Sequence, residues 1–157
     1  MINNDILRRL RYAFDIKDDQ MLDIFAKGDL QVSRAQISNW LKKEEDENYE
    51  LLLDVQLSSF LNGFISEKRG IKEGEKPKAE KHLNNNIVFR KLKIALNMKD
   101  TDILEIFDLV KLRISKHELS AFFRKPGQNQ YRVCKDQFLR NFLHGLQMKH
   151  RPTKNKD

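Results

Sequence analysis

An internal duplication constrains this chain more than any other feature of its sequence. Residues 3–64 align with residues 85–146 at a constant offset of 82 positions, without an insertion or deletion. Identical residues recur along the whole alignment, among them the pairs Arg8/Arg90, Phe25/Phe107, Ser33/Ser115, Tyr49/Tyr131 and Gly63/Gly145. A gapless match of this length indicates two copies of one structural unit.

Within each copy the apolar residues recur every three or four positions, which is typical of amphipathic helices. The pattern predicts four helices in each copy, the second of them starting at an aspartate N-cap, Asp18 or Asp100. The third helix has the clearest start signal, because Ser33–Gln36 and Ser115–Glu118 both match the capping box.

We therefore expect an all-α fold, a tandem duplication of a small four-helix, helix-turn-helix-like unit. About 62 residues hold little core on their own, so the two copies should pack together. Gly63 and Gly145, near the end of the last helix of each copy, are either C-terminal caps or close-packing points. The expected boundaries are repeat 1 at residues 1–69, a charged linker at 70–84, repeat 2 at 85–148 and a basic tail at 149–157.

Several classes of protein are disfavoured by what the sequence lacks. Cys134 is the only cysteine, so no intrachain disulfide can form and a reducing compartment is expected. No apolar stretch approaches the roughly 20 residues that span a bilayer, and the first residues lack a signal-peptide core. These features predict a cytoplasmic protein with no membrane partner.

No catalytic signature is present either. The four histidines do not pair with one another or with the cysteine at metal-ligand spacing. A glycine-rich phosphate loop and a nucleophile elbow are both missing. We expect a binding protein that is not an enzyme and that takes no cofactor and no metal.

The net charge of +7 is unevenly distributed between the copies. Residues 1–70 carry 10 basic and 13 acidic side chains, whereas residues 85–148 carry 12 basic and 6 acidic ones. The tail at 149–157 adds a net charge of +3. An anionic partner, DNA or RNA, should therefore meet the second copy.

The third helix of each copy looks like the recognition helix of a helix-turn-helix, although the preceding connection is longer than the usual three or four residues. Another interpretation is a capped helix that packs its apolar side into the core, with the basic residues forming a solvated face. The nucleic-acid hypothesis selects Lys116, Ser120, Arg124, Lys125, Arg132, Lys135 and Arg140 in repeat 2, and Arg34, Asn39 and Lys42 in repeat 1.

A second hypothesis is a protein-interaction module. The acidic loop at residues 44–47 or the groove between the repeats would then recruit a protein partner. The same loop could instead face the basic surface of repeat 2 and orient the two copies, although exposed ion pairs contribute little energy. The sequence does not indicate an oligomeric state.

Four segments carry a family resemblance: residues 4–13, 32–42, 83–87 and 114–127. They resemble the YehS-like family, a group of uncharacterised bacterial cytosolic proteins built from a duplicated domain of unknown function. The resemblance covers nearly the whole chain and implies the duplication, a bacterial source and a soluble protein. It implies no catalytic residue, because none is established for the family.

Overall fold

The computed structural model describes residues 1–71, 74 and 76–151, and these residues form eight α-helices and no β-strand. Four helices fall in each copy, which confirms the all-α duplicated fold. The last residues of the predicted tail, 152–157, lie outside the described residues. The helices are α1 (Asn3–Ala13), α2 (Asp18–Lys27), α3 (Arg34–Trp40), α4 (Asp54–Arg69), α5 (Asn85–Ala95), α6 (Asp100–Leu109), α7 (Lys116–Ala121) and α8 (Asp136–His150).

Both predicted capping boxes are confirmed. The Ser33 hydroxyl accepts a hydrogen bond from the backbone amide of Gln36 (3.1 Å), and the Gln36 side chain accepts one from the Ser33 amide (2.9 Å). Ser115 and Glu118 make the same reciprocal pair, with both distances at 3.0 Å. Each box satisfies two amides that the first turn of a helix leaves without a partner.

The predicted caps of the second helices are wrong. Asp18 is the first residue of α2, and the cap position belongs to Lys17, whose amide donates to the Gln20 side chain (2.9 Å). Asp100 is likewise the first residue of α6. A residue three positions downstream supplies the acceptor, while the Asp18 carboxylate lies in the first turn, at the positive end of the helix dipole.

The two repeats pack together through their first and last helices. α1 packs against α8 and α4 against α5, so the first helix of each repeat contacts the last helix of the other. Within each repeat the second helix crosses the last one, α2 on α4 and α6 on α8. One apolar core runs through both repeats. The predicted packing of the copies is observed, and each repeat completes its core with a helix of the other.

Gly63 and Gly145 are close-packing points. A Cβ at Gly63, in α4, would lie only 1.8 Å from the carbonyl oxygen of Ile24 in α2. A Cβ at Gly145, in α8, would lie 2.6 Å from the carbonyl oxygen of Ile106 in α6. The glycines therefore allow the second and last helices of each repeat to approach closely, which resolves the alternative that the sequence left open.

Candidate nucleic-acid interface

A buried asparagine fixes the extended segment that carries Arg132 and Lys135. The Asn86 side chain donates to the carbonyl oxygens of Phe122 (3.0 Å) and Arg132 (2.8 Å) and accepts from the amide of Cys134 (2.9 Å). One side chain thus joins the start of α5, the end of α7 and the segment before α8. We call this arrangement the asparagine clamp.

The same clamp occurs in repeat 1. Asn4 donates to the carbonyl oxygens of Trp40 and Glu50, both at 2.9 Å, and accepts from the Leu52 amide (3.0 Å). Sequence reasoning missed the clamp because its partners lie 36 to 48 residues away. The available signal was the alignment itself, which places Asn4 opposite Asn86.

The clamp makes Cys134 inaccessible. This cysteine is 1% exposed, and burial raises the pKa of its thiol to about 12. Since the thiolate is the reactive form, we expect the folded chain to resist alkylation by iodoacetamide at mildly alkaline pH. Mass spectrometry should show rapid alkylation only after denaturation. Equal rates for the folded and unfolded chain would contradict this placement.

The helix α7 is both packed and exposed. Its inner side chains, Leu119 and Ala121, are buried together with the adjacent Phe122, while Lys116 is exposed. The Ser120 hydroxyl donates to the carbonyl oxygen of Lys116 (2.8 Å) and is thus engaged within the helix. Both sequence interpretations describe part of this helix, one its inner face and the other its outer face.

The geometry departs from a standard helix-turn-helix. Residues 110–115 separate α6 from α7, whereas the motif uses a turn of about three or four residues. The amide of Glu118 and that of Ser115 are both taken by the capping box. These two amides are therefore not available to a phosphate.

Arg132 is held in place by its neighbours. Its guanidinium contacts the Glu118 carboxylate at 3.2 Å and lies over the rings of Phe122 (5.6 Å) and Phe138 (5.4 Å). Hydrogen bonds from the amide and hydroxyl of Ser115, and from Arg132, hold the pKa of the Glu118 carboxyl below its usual range. The charge of Arg132 is therefore largely compensated inside the chain.

Four other predicted cations of repeat 2 form no close ion pair of this kind, although the charge of Arg140 helps to lower the pKa of the nearby Asp136 carboxyl. Their side chains are exposed, and none forms an ion pair with any carboxylate in the described part of the chain. We call them the free cations: Lys116, Lys125, Lys135 and Arg140. Arg124 is half-buried, and its Nε is buried without a partner among the described residues.

The predicted residues of repeat 1 are engaged with their own neighbours. Arg34 pairs with the carboxylate of Asp19. Lys42 donates to the Ser38 hydroxyl (3.1 Å) and to the Asn39 side-chain oxygen (3.0 Å). The charge of Arg34 is therefore compensated, whereas the partners of Lys42 are neutral and leave its charge in place.

Two exposed cations near α7 were missed from the sequence, Lys111 and Arg113. The duplication could have revealed them, because repeat 1 has Asp29 and Gln31 at the aligned positions. A position that is acidic or neutral in one copy and basic in the other is more informative than total charge. Comparing aligned positions removes the charges that both repeats need for their common fold, so the remaining differences point to function.

Comparison with known proteins accounts for the duplication. A family model described as a protein of unknown function, DUF1456, matches residues 3–70 and again residues 85–151. The chain belongs to this family. The uncharacterized protein YehS of Escherichia coli (strain K12) is 44% identical over 147 residues, which is 93% of this chain and 94% of that relative. The resemblance to the YehS-like family is thus confirmed, and each repeat is one DUF1456 unit. No solved structure matches the chain.

The described part of the DUF1456 pair contains neither a metal-binding cluster nor a membrane-spanning helix. Across residues 1–71, 74 and 76–151, no three His, Cys, Asp or Glu side chains are grouped so as to hold a metal ion. None of the helices in that part of the chain is long and apolar enough to cross a membrane.

Proposed function

We propose that this DUF1456 protein is a non-enzymatic binding protein whose second repeat engages the phosphates of DNA or RNA. The observation that carries the proposal is the contrast between aligned positions of the two repeats. Lys116 is free, whereas its counterpart Arg34 is paired with Asp19. Lys135 and Arg140 stand where repeat 1 has the uncharged Leu53 and Ser58.

The arrangement supports backbone contact more than base reading. Phosphate contacts from lysine and arginine supply sequence-independent affinity, while base recognition needs side chains presented in a groove. The helix α7 has only six residues, and its Ser120 and Glu118 side chains are engaged within the protein. Binding should therefore depend strongly on salt and weakly on sequence.

A matched pair of triple variants tests this proposal. Lys116→Gln, Arg124→Gln and Lys125→Gln together should weaken binding of a fluorescent duplex about tenfold at low salt, and lower the slope of log affinity against log salt by roughly 2 to 3. Arg34→Gln, Lys42→Gln and Lys43→Gln remove the same charge at the aligned positions of repeat 1. Anisotropy titrations at two salt concentrations, repeated with a single strand, measure both variants.

The control variant should stay within about twofold of the unmodified chain, because Arg34 is already paired with Asp19, and Lys42 and Lys43 directly precede the acidic loop at residues 44–47, which repels phosphates. Since Arg124 is half-buried, a second variant, Lys135→Gln with Arg140→Gln, tests the same surface through exposed residues only. No binding at low salt, or equal losses in the two repeats, would overturn the proposal.

A second candidate, recruitment of a protein partner, is favoured by an apolar surface on repeat 1. Leu51, Leu53 and Val55 are 54%, 53% and 39% exposed, close in sequence to the acidic loop at residues 44–47. Repeat 2 has Lys135 and Gln137 at the positions of Leu53 and Val55. Exposed apolar side chains in a cluster are typical of protein interfaces.

Exchanging residues between the repeats tests this candidate. The variant Leu53→Lys with Val55→Gln should abolish capture of any partner that survives nuclease treatment, because it removes two of the three exposed apolar side chains. Pull-down from a nuclease-treated extract of the native cell, followed by mass spectrometry, provides the measurement. A partner retained equally by the exchanged variant contradicts a role for this surface.

A further inference from the structure

A pocket lies between α4 and α5, where repeat 1 meets repeat 2. Its volume is about 400 Å³, within the range of roughly 300–1,000 Å³ that small-molecule sites occupy. One part of its lining is apolar and comes from Ile65, Ile71 and Ile94. The other part carries the polar side chains of Asn62, Arg69, Arg90 and Lys91, of which Lys91 already pairs with the Glu80 carboxylate at 3.1 Å.

The side-chain amide of Asn62 supplies a hydrogen-bond donor to the polar part of the pocket. This side chain is only 5% exposed, and its Oδ1 accepts a hydrogen bond from the Lys91 ammonium (2.6 Å). Because Lys91 can only donate, this bond orients the amide and leaves Nδ2 as the free group. That nitrogen is buried and has no partner in the described chain. A buried donor without an acceptor is costly, so this amide is suited to donate a hydrogen bond to an acceptor group of a ligand.

Arg69 lacks the acidic partner that its counterpart in repeat 2, Arg151, has. At the equivalent place between α1 and α8, Arg151 lies 3.5 Å from the Asp15 carboxylate and 4.1 Å from the centre of the Tyr12 ring. The positions of Asp15 and Tyr12 are taken by Asn97 and Ile94 on the pocket side. Arg69 accordingly forms no ion pair with the described residues.

Arg90 shows the same change. Its counterpart Arg8 pairs with Asp5 at 2.7 Å on the same helix, whereas the position of Asp5 is occupied by Ile87 in repeat 2. Arg90 is exposed and has no carboxylate partner among the described residues. Both arginines of the pocket, Arg69 and Arg90, therefore lack the carboxylate partner that their counterparts have in the described chain.

We propose that this pocket binds a small amphiphilic anion, a molecule with one carboxylate or phosphate group and a short apolar chain. The anionic group would lie between Arg69 and Arg90 with the Asn62 amide as a further donor. The apolar chain would pack on the three isoleucines. The pocket contains none of the free cations of repeat 2. Binding of an anion here can therefore be tested independently of nucleic-acid binding.

Calorimetric titration of the full chain with octanoate and, separately, with octyl phosphate tests the site. We expect saturable submillimolar binding of at least one of them, and no saturable binding of the uncharged probe 1-octanol. The relative affinities of the two anions identify the headgroup. Nitrogen-edited NMR should show the Asn62 side-chain amide shifting with the same saturation.

Three variants localise the binding. Arg69→Gln and Arg90→Gln should each weaken the anion at least fivefold, while Arg151→Gln, the counterpart of the first, should leave it within twofold. Thermal melts confirm that the variants remain folded. The inference is overturned if neither anion saturates, if 1-octanol binds as tightly, or if Arg151→Gln weakens binding as much as Arg69→Gln.

Discussion

Replacing Gly63 with alanine should destabilise the chain by about 3 kcal/mol or more, at the upper end of overpacking effects. The added Cβ would lie 1.8 Å from the Ile24 carbonyl oxygen and 2.9 Å from the amide nitrogen of Gly28. Both are backbone atoms, so α2 and α4 must separate and loosen the core around Phe25 and Phe60. Alanine is the better helix former by about 1 kcal/mol, and the expected loss is the net result.

Urea denaturation followed by circular dichroism measures this effect. Gly127→Ala is the matched control, because a Cβ there meets no atom within 4 Å, and surface changes of this kind usually stay within about 0.5 kcal/mol. If Gly63→Ala and Gly127→Ala shift the free energy of unfolding equally, the close crossing of α2 and α4 is wrong.

Removing the asparagine clamp should have a comparable effect. Asn4 is fully buried, and alanine in its place leaves the Leu52 amide and the carbonyl oxygens of Trp40 and Glu50 without this partner. Unsatisfied buried groups cost about 1–3 kcal/mol each, so we expect a loss of roughly 3 kcal/mol for Asn4→Ala. The same urea titration measures it.

The equivalent asparagine of repeat 2 gives a second test, and an exposed asparagine serves as the control. Asn86→Ala removes the equivalent three bonds and should cost a similar amount. Asn129→Ala, in an exposed loop, should be close to neutral. A clamp variant as stable as Asn129→Ala would show that these hydrogen bonds do not stabilise the fold of each repeat.

The elements that could be predicted are those with local causes. The helices follow from apolar spacing, and the starts of α3 and α7 follow from serines that bond residues three positions away. The start of α2 was predicted wrongly because aspartate suits both the cap and the first turn. Only the geometry distinguishes Lys17 from Asp18 as the cap.

The candidate site was predictable as a region and not as a set of contacts. Charge counting located the excess in repeat 2, since it needs no knowledge of partners. It did not reveal that Arg34 is paired with Asp19, 15 residues away, or that Arg132 is paired with Glu118, 14 residues away. Pairing depends on how helices pack, which the sequence pattern does not specify.

In the proposed function repeat 2, and not repeat 1, contacts nucleic acid. The most direct measurement is backbone-amide NMR of the full chain during stepwise addition of a short duplex at low salt. We expect shifts concentrated in residues 113–140, around α7 and the first half of α8, with residues 34–43 unchanged. Shifts of equal size in both repeats, or no shifts at all, would contradict it.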